Sequence, residues 1–143
     1  MKYTAYLFRF FLSVFLFLAV FSLINCSSSQ EMPACSVTVD ETSNGREITL
    51  KTGAVLCIKL QAQPSTGYLW MTGSRNIALK EIGKPRMIPG KTSKDRVLGG
   101  VEHQITHYEA VKAGSENLEL HYRRPWDKKA APAKTFKLKI TVQ

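Results

Sequence analysis

Residues 135–142 read TFKLKITV. Phe136, Leu138, Ile140 and Val142 fall on one side of an extended chain, and Lys137, Lys139 and Thr141 on the other. Successive side chains of a strand point to opposite faces, so this stretch predicts a half-buried antiparallel strand with one apolar and one wet face. The same period of two recurs upstream. NLELHY (117–122) sets Leu118, Leu120 and Tyr122 inward, and VEHQITHYEAVKAG (101–114) reads as one long strand starting at Val101. After Gly53, the residues Ala54, Leu56, Ile58 and Leu60 share a face opposite Lys59 and Gln61. SVTVD (36–40) and REITLK (46–51) alternate on either side of TSNG, whose Asn44-Gly45 pair is a strong turn signal. GYLWM (67–71) and IALKEI (77–82) add two short strands, with Trp70 expected in the core. No ten-residue window in this region has helical periodicity, and no repeat is present. Seven to eight short antiparallel strands in residues 36–143 predict an all-β, immunoglobulin-like sandwich, with a small closed barrel as the alternative.

Ahead of this domain, Lys2 and Arg9 precede an apolar run from Phe10 to Ile24. A spanning helix needs ~20 residues, and this run has the shorter form of a secretory signal over residues 1–25. An uncleaved anchor is the alternative if Leu7 and Phe8 lengthen the run. SLINCSSSQ (22–30) resembles a bacterial lipobox: Leu23 stands three positions before Cys26, although Asn25 replaces the usual small residue. The two outcomes are lipid attachment at Cys26, which would tether the domain to a membrane, and simple cleavage with secretion. Residues 26–35 then form a Ser-rich tether and N-terminal arm. Both readings place the domain outside the cytosol, at the envelope or beyond it. If Cys26 is lipidated or removed, Cys35 and Cys57 remain, either as a disulfide or as two free thiols.

Without Lys2 and Arg9, 18 basic and 11 acidic residues remain, a net charge of about +7. That balance suits acidic partners, yet no block of like charges forms a nucleic-acid arm. His103 and His107 share a strand face, but no Cys, Asp or Glu completes a metal set with them or with His121. Cys57 lies among apolar neighbours, which raise a thiol pKa, so no catalytic cysteine is expected. The chain reads as a non-enzyme without metal or cofactor.

Three connections stand apart from the strands: Gln63–Tyr68, Gly83–Gly100 and Arg123–Thr135. Alternate connections of a sandwich emerge at the same end, so the three are expected to share one tip. Taken singly, Pro-Ser-Thr-Gly is an ordinary turn, Gly-Gly a bend, and a loop tryptophan a packing residue. Together they carry more. The chain resembles the chagasin-type inhibitors of papain-family cysteine proteases, whose three loops carry Asn-Pro-Thr-Thr-Gly-Tyr, Gly-x-Gly-Gly, and Arg-Pro followed by Trp or Phe. Here the loops read Gln63-Pro64-Ser65-Thr66-Gly67-Tyr68, Val97-Leu98-Gly99-Gly100 and Arg124-Pro125-Trp126. Gln63, Ser65 and Val97 depart from the pattern. The resemblance spans about residues 46–143.

It implies a monomeric inhibitor whose partner is a papain-family protease. Pro64, Ser65, Thr66, Gly67 and Tyr68 would cover the catalytic cysteine. Leu98, Gly99 and Gly100 would pair with the substrate-binding edge, and Arg124, Pro125 and Trp126 would anchor beside the cleft. Tyr68 is expected to pack beneath the first loop. Two rivals compete with this reading. One is a cell-envelope adhesion module that uses Arg123, Arg124, Lys128, Lys129 and Lys134 on anionic lipid or glycan. Binding of that kind should collapse with rising salt. The other is a cystatin, which also uses a Pro-Trp loop but needs a long amphipathic helix and a Gln-x-Val-x-Gly hairpin that this chain lacks.

Overall fold

Alternation along Thr135–Val142 does produce a two-faced strand. In the computed structural model, which describes residues 33–90, 102–127 and 129–143, Phe136, Leu138, Ile140 and Val142 are all buried. The described residues form eight strands: β1 (Val37–Val39), β2 (Glu47–Leu50), β3 (Val55–Ala62), β4 (Leu69–Thr72), β5 (Leu79–Pro89), β6 (Glu102–Ala110), β7 (Gly114–Arg123) and β8 (Lys134–Val142). One sheet has the order β1-β3-β6-β5 and the other β2-β8-β7-β4. Leu56, Ile58 and Leu60 of the first sheet meet Leu118, Leu120, Leu138 and Ile140 of the second in one apolar core. The architecture is the expected immunoglobulin-like sandwich.

Not every pairing is antiparallel. β1 runs parallel to β3, with Val37 opposite Leu56, and β2 runs parallel to β8, with Ile48 opposite Ile140. The turn at Asn44-Gly45 is present, but it hands the chain from one sheet to the other instead of closing a hairpin. Asp40 caps a 3-10 turn at Glu41–Ser43 by accepting from Thr42 N–H at 3.0 Å. Asn44 Oδ1 then accepts from Lys137 N–H at 2.8 Å, and Gly45 N–H donates to Lys137 O, so the turn docks on β8. Each short N-terminal strand therefore lands on a sheet edge in the direction of its neighbour.

Two boundaries also differ from the expectation. Residues 83–89 are strand, because β5 continues along β6 past a register shift between Ile82 and Arg86. Gly83, at φ +69°, and Pro85 occupy that bulge, where a left-handed residue and a missing N–H break no ladder bond. Those residue types are what hid the strand's second half. At the other end of β6, the chain turns over residues 111–113, and β7 starts at Gly114. Cys35 and Cys57 are joined by a disulfide with a Cα–Cα distance of 5.7 Å, which ties the N-terminal arm to β3 on the side away from the core.

The register sets the tip. Ala62 at the end of β3 pairs with Glu102, Glu102 pairs with Pro89 at the end of β5, and Leu69 pairs with Arg123 at the end of β7. All three special connections therefore depart from the same end of the sandwich. The residues 91–101 that form most of the second one, including Leu98, Gly99 and Gly100, lie outside the described residues, as do Cys26, the segment 1–25 and Lys128.

Candidate functional site: a locked loop tip

The first loop holds itself. Pro64–Thr66 form one 3-10 turn with proline at its start, and Gly67 closes it in the left-handed region at φ +76°. Gln63 caps the turn through its backbone, not its side chain: its carbonyl accepts from Thr66 N–H at 3.0 Å and from Thr66 Oγ1 at 2.7 Å. Gly67 N–H donates to Pro64 O at 2.8 Å. The threonine hydroxyl thus adds a second donor to the same carbonyl and tightens the turn.

Beneath the loop lies an aromatic foundation that alternation alone delivers to the core side. Tyr68 is half-buried, with its ring centroid 5.3 Å from that of Tyr122, and Trp70 lies 5.1 Å from Tyr122 on a tilted plane. Tyr68 therefore packs under the loop, and Trp70 sits in the core at 6% exposure. Tyr122 OH accepts from Gln63 N–H at 2.9 Å, and Trp70 Nε1 donates to Gln61 O at 2.9 Å. Both flanks of the turn are pinned.

The third loop closes over the first. Arg124 stacks its guanidinium 4.9 Å from the Tyr68 ring centroid. Asp127 N–H donates to Arg124 O at 3.2 Å, and Asp127 Oδ1 accepts from Ala130 N–H at 3.2 Å, which holds the Arg124-Pro125-Trp126 turn. Trp126 lies against the backbone of Gly67. A Cβ on Gly67 would come within 2.5 Å of Trp126 Cη2 and 3.1 Å of Cζ2. Yet Trp126 remains 71% exposed, the value of a side chain resting edge-on at a summit and not filling a pocket. Pro64, Ser65, Thr66, Gly67, Tyr68, Arg124, Pro125 and Trp126 thus form one contiguous tip.

Among the described residues, three basic side chains of the third connection contact the protein itself. Arg123 Nη2 donates to Asp127 O at 3.4 Å, Arg124 covers Tyr68, and Lys134 Nζ lies 5.8 Å from the Tyr122 centroid. These three side chains contact the loops they flank, while Arg124, Lys129 and Lys134 stay exposed. The histidines sit elsewhere. His103 and His107 lie on β6, and His121 on β7 meets Glu119 Oε1 at 3.0 Å. That bond, reinforced by Lys137, holds the Glu119 carboxyl below its ordinary range. His107 is buried beside the disulfide, and burial, then the nearby Arg86 charge, lowers its pKa. Cys35, Cys57 and His107 place their ligand atoms within 4.8 Å of one another, but with both sulfurs in the disulfide only the imidazole could ligate an ion.

Residues that sequence reasoning missed are structural partners of the tip. Tyr122 was legible only as an inward residue of its strand, and nothing in its neighbours announces a hydroxyl under Gln63. Gln104 has the look of any polar residue of a half-exposed strand, yet it is buried at 2% exposure.

A sandwich that displays a self-locked turn under an exposed tryptophan is a protein that works by presenting a surface. Residues 49–140 match the chagasin family of peptidase inhibitors, I42. The chain belongs to that family, and it is an inhibitor, not an enzyme. Among solved structures it is similar to the crystal structure of EhICP2, a cysteine protease inhibitor from Entamoeba histolytica. The two share 18% identity over 78% of this chain and 100% of that one, with a TM-score of 0.65. It is also similar to the solution structure of amebosin, at 27% identity over 75% of this chain and 97% of that one, with a TM-score of 0.60. No curated protein matches.

Proposed function

We propose that the protein is a reversible, competitive inhibitor of papain-family cysteine proteases that fills the active-site cleft with its loop tip. The observation that carries this is the Gly67 step, left-handed and roofed by Trp126. Protease substrates lie extended in the cleft, with the scissile carbonyl open to the cysteine nucleophile. A 3-10 turn ending in a left-handed glycine enters the same space bent out of the extended form, with the Gln63 and Pro64 carbonyls held in internal hydrogen bonds. Thr66-Gly67 can then approach the nucleophile by backbone without being cleaved. Because the turn is formed before binding, little ordering entropy is lost on association.

Trp126 is the aromatic anchor, already placed on the summit, and Pro125 limits its backbone freedom. Arg124 acts chiefly within the inhibitor, clamping the third loop onto Tyr68. By resemblance, Leu98, Gly99 and Gly100 pair with the substrate-binding edge. The protein acts as a monomer outside the cytosol, after cleavage near residue 25 or attached through a lipid on Cys26. The test is titration of residues 31–143, which hold the whole sandwich, against active-site-titrated papain at low and high salt. Stoichiometric, competitive, salt-tolerant inhibition with the inhibitor recovered uncleaved is expected. Steady proteolysis between residues 63 and 68 would refute occlusion.

A further inference from the structure

Among the described strands, β4 is an edge. It pairs with β7 on one side, while the backbone N–H and C=O of Trp70 point elsewhere and are buried. Buried backbone groups left unpaired destabilise a fold, so something must meet them. The partner is one side chain from the opposite sheet. Gln104 Oε1 accepts from Trp70 N–H at 2.9 Å, and Gln104 Nε2 donates to Trp70 O at 2.6 Å. Nε2 also lies 3.4 Å from Thr106 Oγ1. A carboxamide has the donor and the acceptor of a peptide group, so Gln104 stands in for the strand that β4 lacks.

The position of this clamp matters more than its polarity. Trp70 is three residues beyond Gly67, and its indole reaches Gln61 just before the turn. Trp70 is therefore fastened to the first sheet at its backbone by β6 and at its ring by β3. We infer that Gln104 is a positioning residue for the inhibitory tip: it sets the height and tilt of the Thr66-Gly67 step by fixing the exit of the first loop to the opposite sheet. This rests on the inhibitor reading given above.

Gln104→Glu provides the test, because its acceptor and donor pattern depends on protonation. As a carboxylate it still accepts from Trp70 N–H but opposes Trp70 O. As a protonated acid it can donate there again, and burial raises a carboxyl pKa. Wild-type chain is first shown to inhibit papain at about pH 7.5 and about pH 5. Failure at that stage refutes the inhibitor reading and the positioning role that rests on it, whereas a wild type that inhibits leaves the variants to decide the clamp alone. Given inhibition, Gln104→Glu, folded by near-ultraviolet circular dichroism, is expected to inhibit about tenfold less well at the higher pH, the equivalent of one buried hydrogen bond. Relative to wild type at the same pH, it should recover at the lower one. Gln104→Met, which carries no charge if the glutamate variant does not fold, is expected to lose about tenfold at both pH values. Ile140→Val, a core change far from the tip, supplies a comparison that lowers melting temperature only. The proposal is overturned if folded Gln104 variants inhibit like wild type, or if Ile140→Val weakens inhibition equally at a matched melting temperature.

Discussion

Replacing Gly67 by alanine strikes the tip at its tightest point, and the structure allows the cost to be divided. Gly67 holds φ +76°, where an L-residue with a Cβ is disfavoured by about 1–2 kcal/mol. That part is local and independent of Trp126. The second part is steric. The new Cβ would lie 2.5 Å from Trp126 Cη2, so the indole must leave its seat on the turn. Trp126 is exposed, so moving it sacrifices little buried area, and total destabilisation of the free protein should be about 2–3 kcal/mol. For a domain of this size that lowers the melting temperature by roughly 10–20 °C.

Inhibition should suffer more, because the displaced anchor is a hot-spot residue worth about 2 kcal/mol or more, or about thirtyfold in Ki. The assay is a double-mutant cycle with Gly67→Ala, Trp126→Ala and both, read in two ways. Urea unfolding of the free inhibitors reports the contact without any protease, and Ki against papain reports its use. With Trp126 already truncated, Gly67→Ala should cost only the backbone strain. A coupling of about 1 kcal/mol is therefore expected in stability, and about 2 kcal/mol in Ki, where each single variant loses the same anchor. Additive stability effects within about 0.3 kcal/mol would show that the tryptophan does not rest on Gly67 and sink this reasoning.

Other outcomes follow from single contacts. Tyr122→Phe removes the acceptor of Gln63 N–H and keeps the aromatic stack, so it should cost about 1 kcal/mol in chemical denaturation and several-fold in Ki. Replacing both Cys35 and Cys57 by alanine opens a link between residues 22 apart and should remove about 3 kcal/mol of stability. The bridge lies well down β3, so Ki of the folded variant should stay within about twofold of wild type. His107 is held neutral by burial, so the unfolded chain binds its proton more readily. Stability is then full above the ordinary histidine pKa of 6.5 and falls as pH drops below it toward the lower folded value. His107→Gln should flatten that decline in melting temperature between about pH 7 and pH 5, and an unchanged slope would assign it to other groups.

Much of the strand plan was legible because alternation is a property of neighbours. Phe136 to Val142 and Leu56 to Leu60 announce their faces within five to seven residues, and turn formers mark where they end. The misread places are those where local signals conflict with distant pairing. Gly83 and Pro85 look like a loop, but β6 alongside turns them into a bulged strand. Asn44-Gly45 looks like a hairpin, yet Lys137 captures the turn from across the molecule. Parallel pairing of β1 and β2 has no local signature at all.

The tip divides in the same way. By itself the sequence determined the two-faced strands and the three loop motifs, and hence the family, because each depends on residue types at short, countable spacings. Only the tertiary structure decided that Arg124 braces Tyr68, that Trp126 roofs Gly67 and that Gln104 completes the edge of β4. Those contacts join residues 34 to 59 positions apart. Their geometry depends on how two twisted sheets stack, and no stretch of neighbouring side chains encodes that.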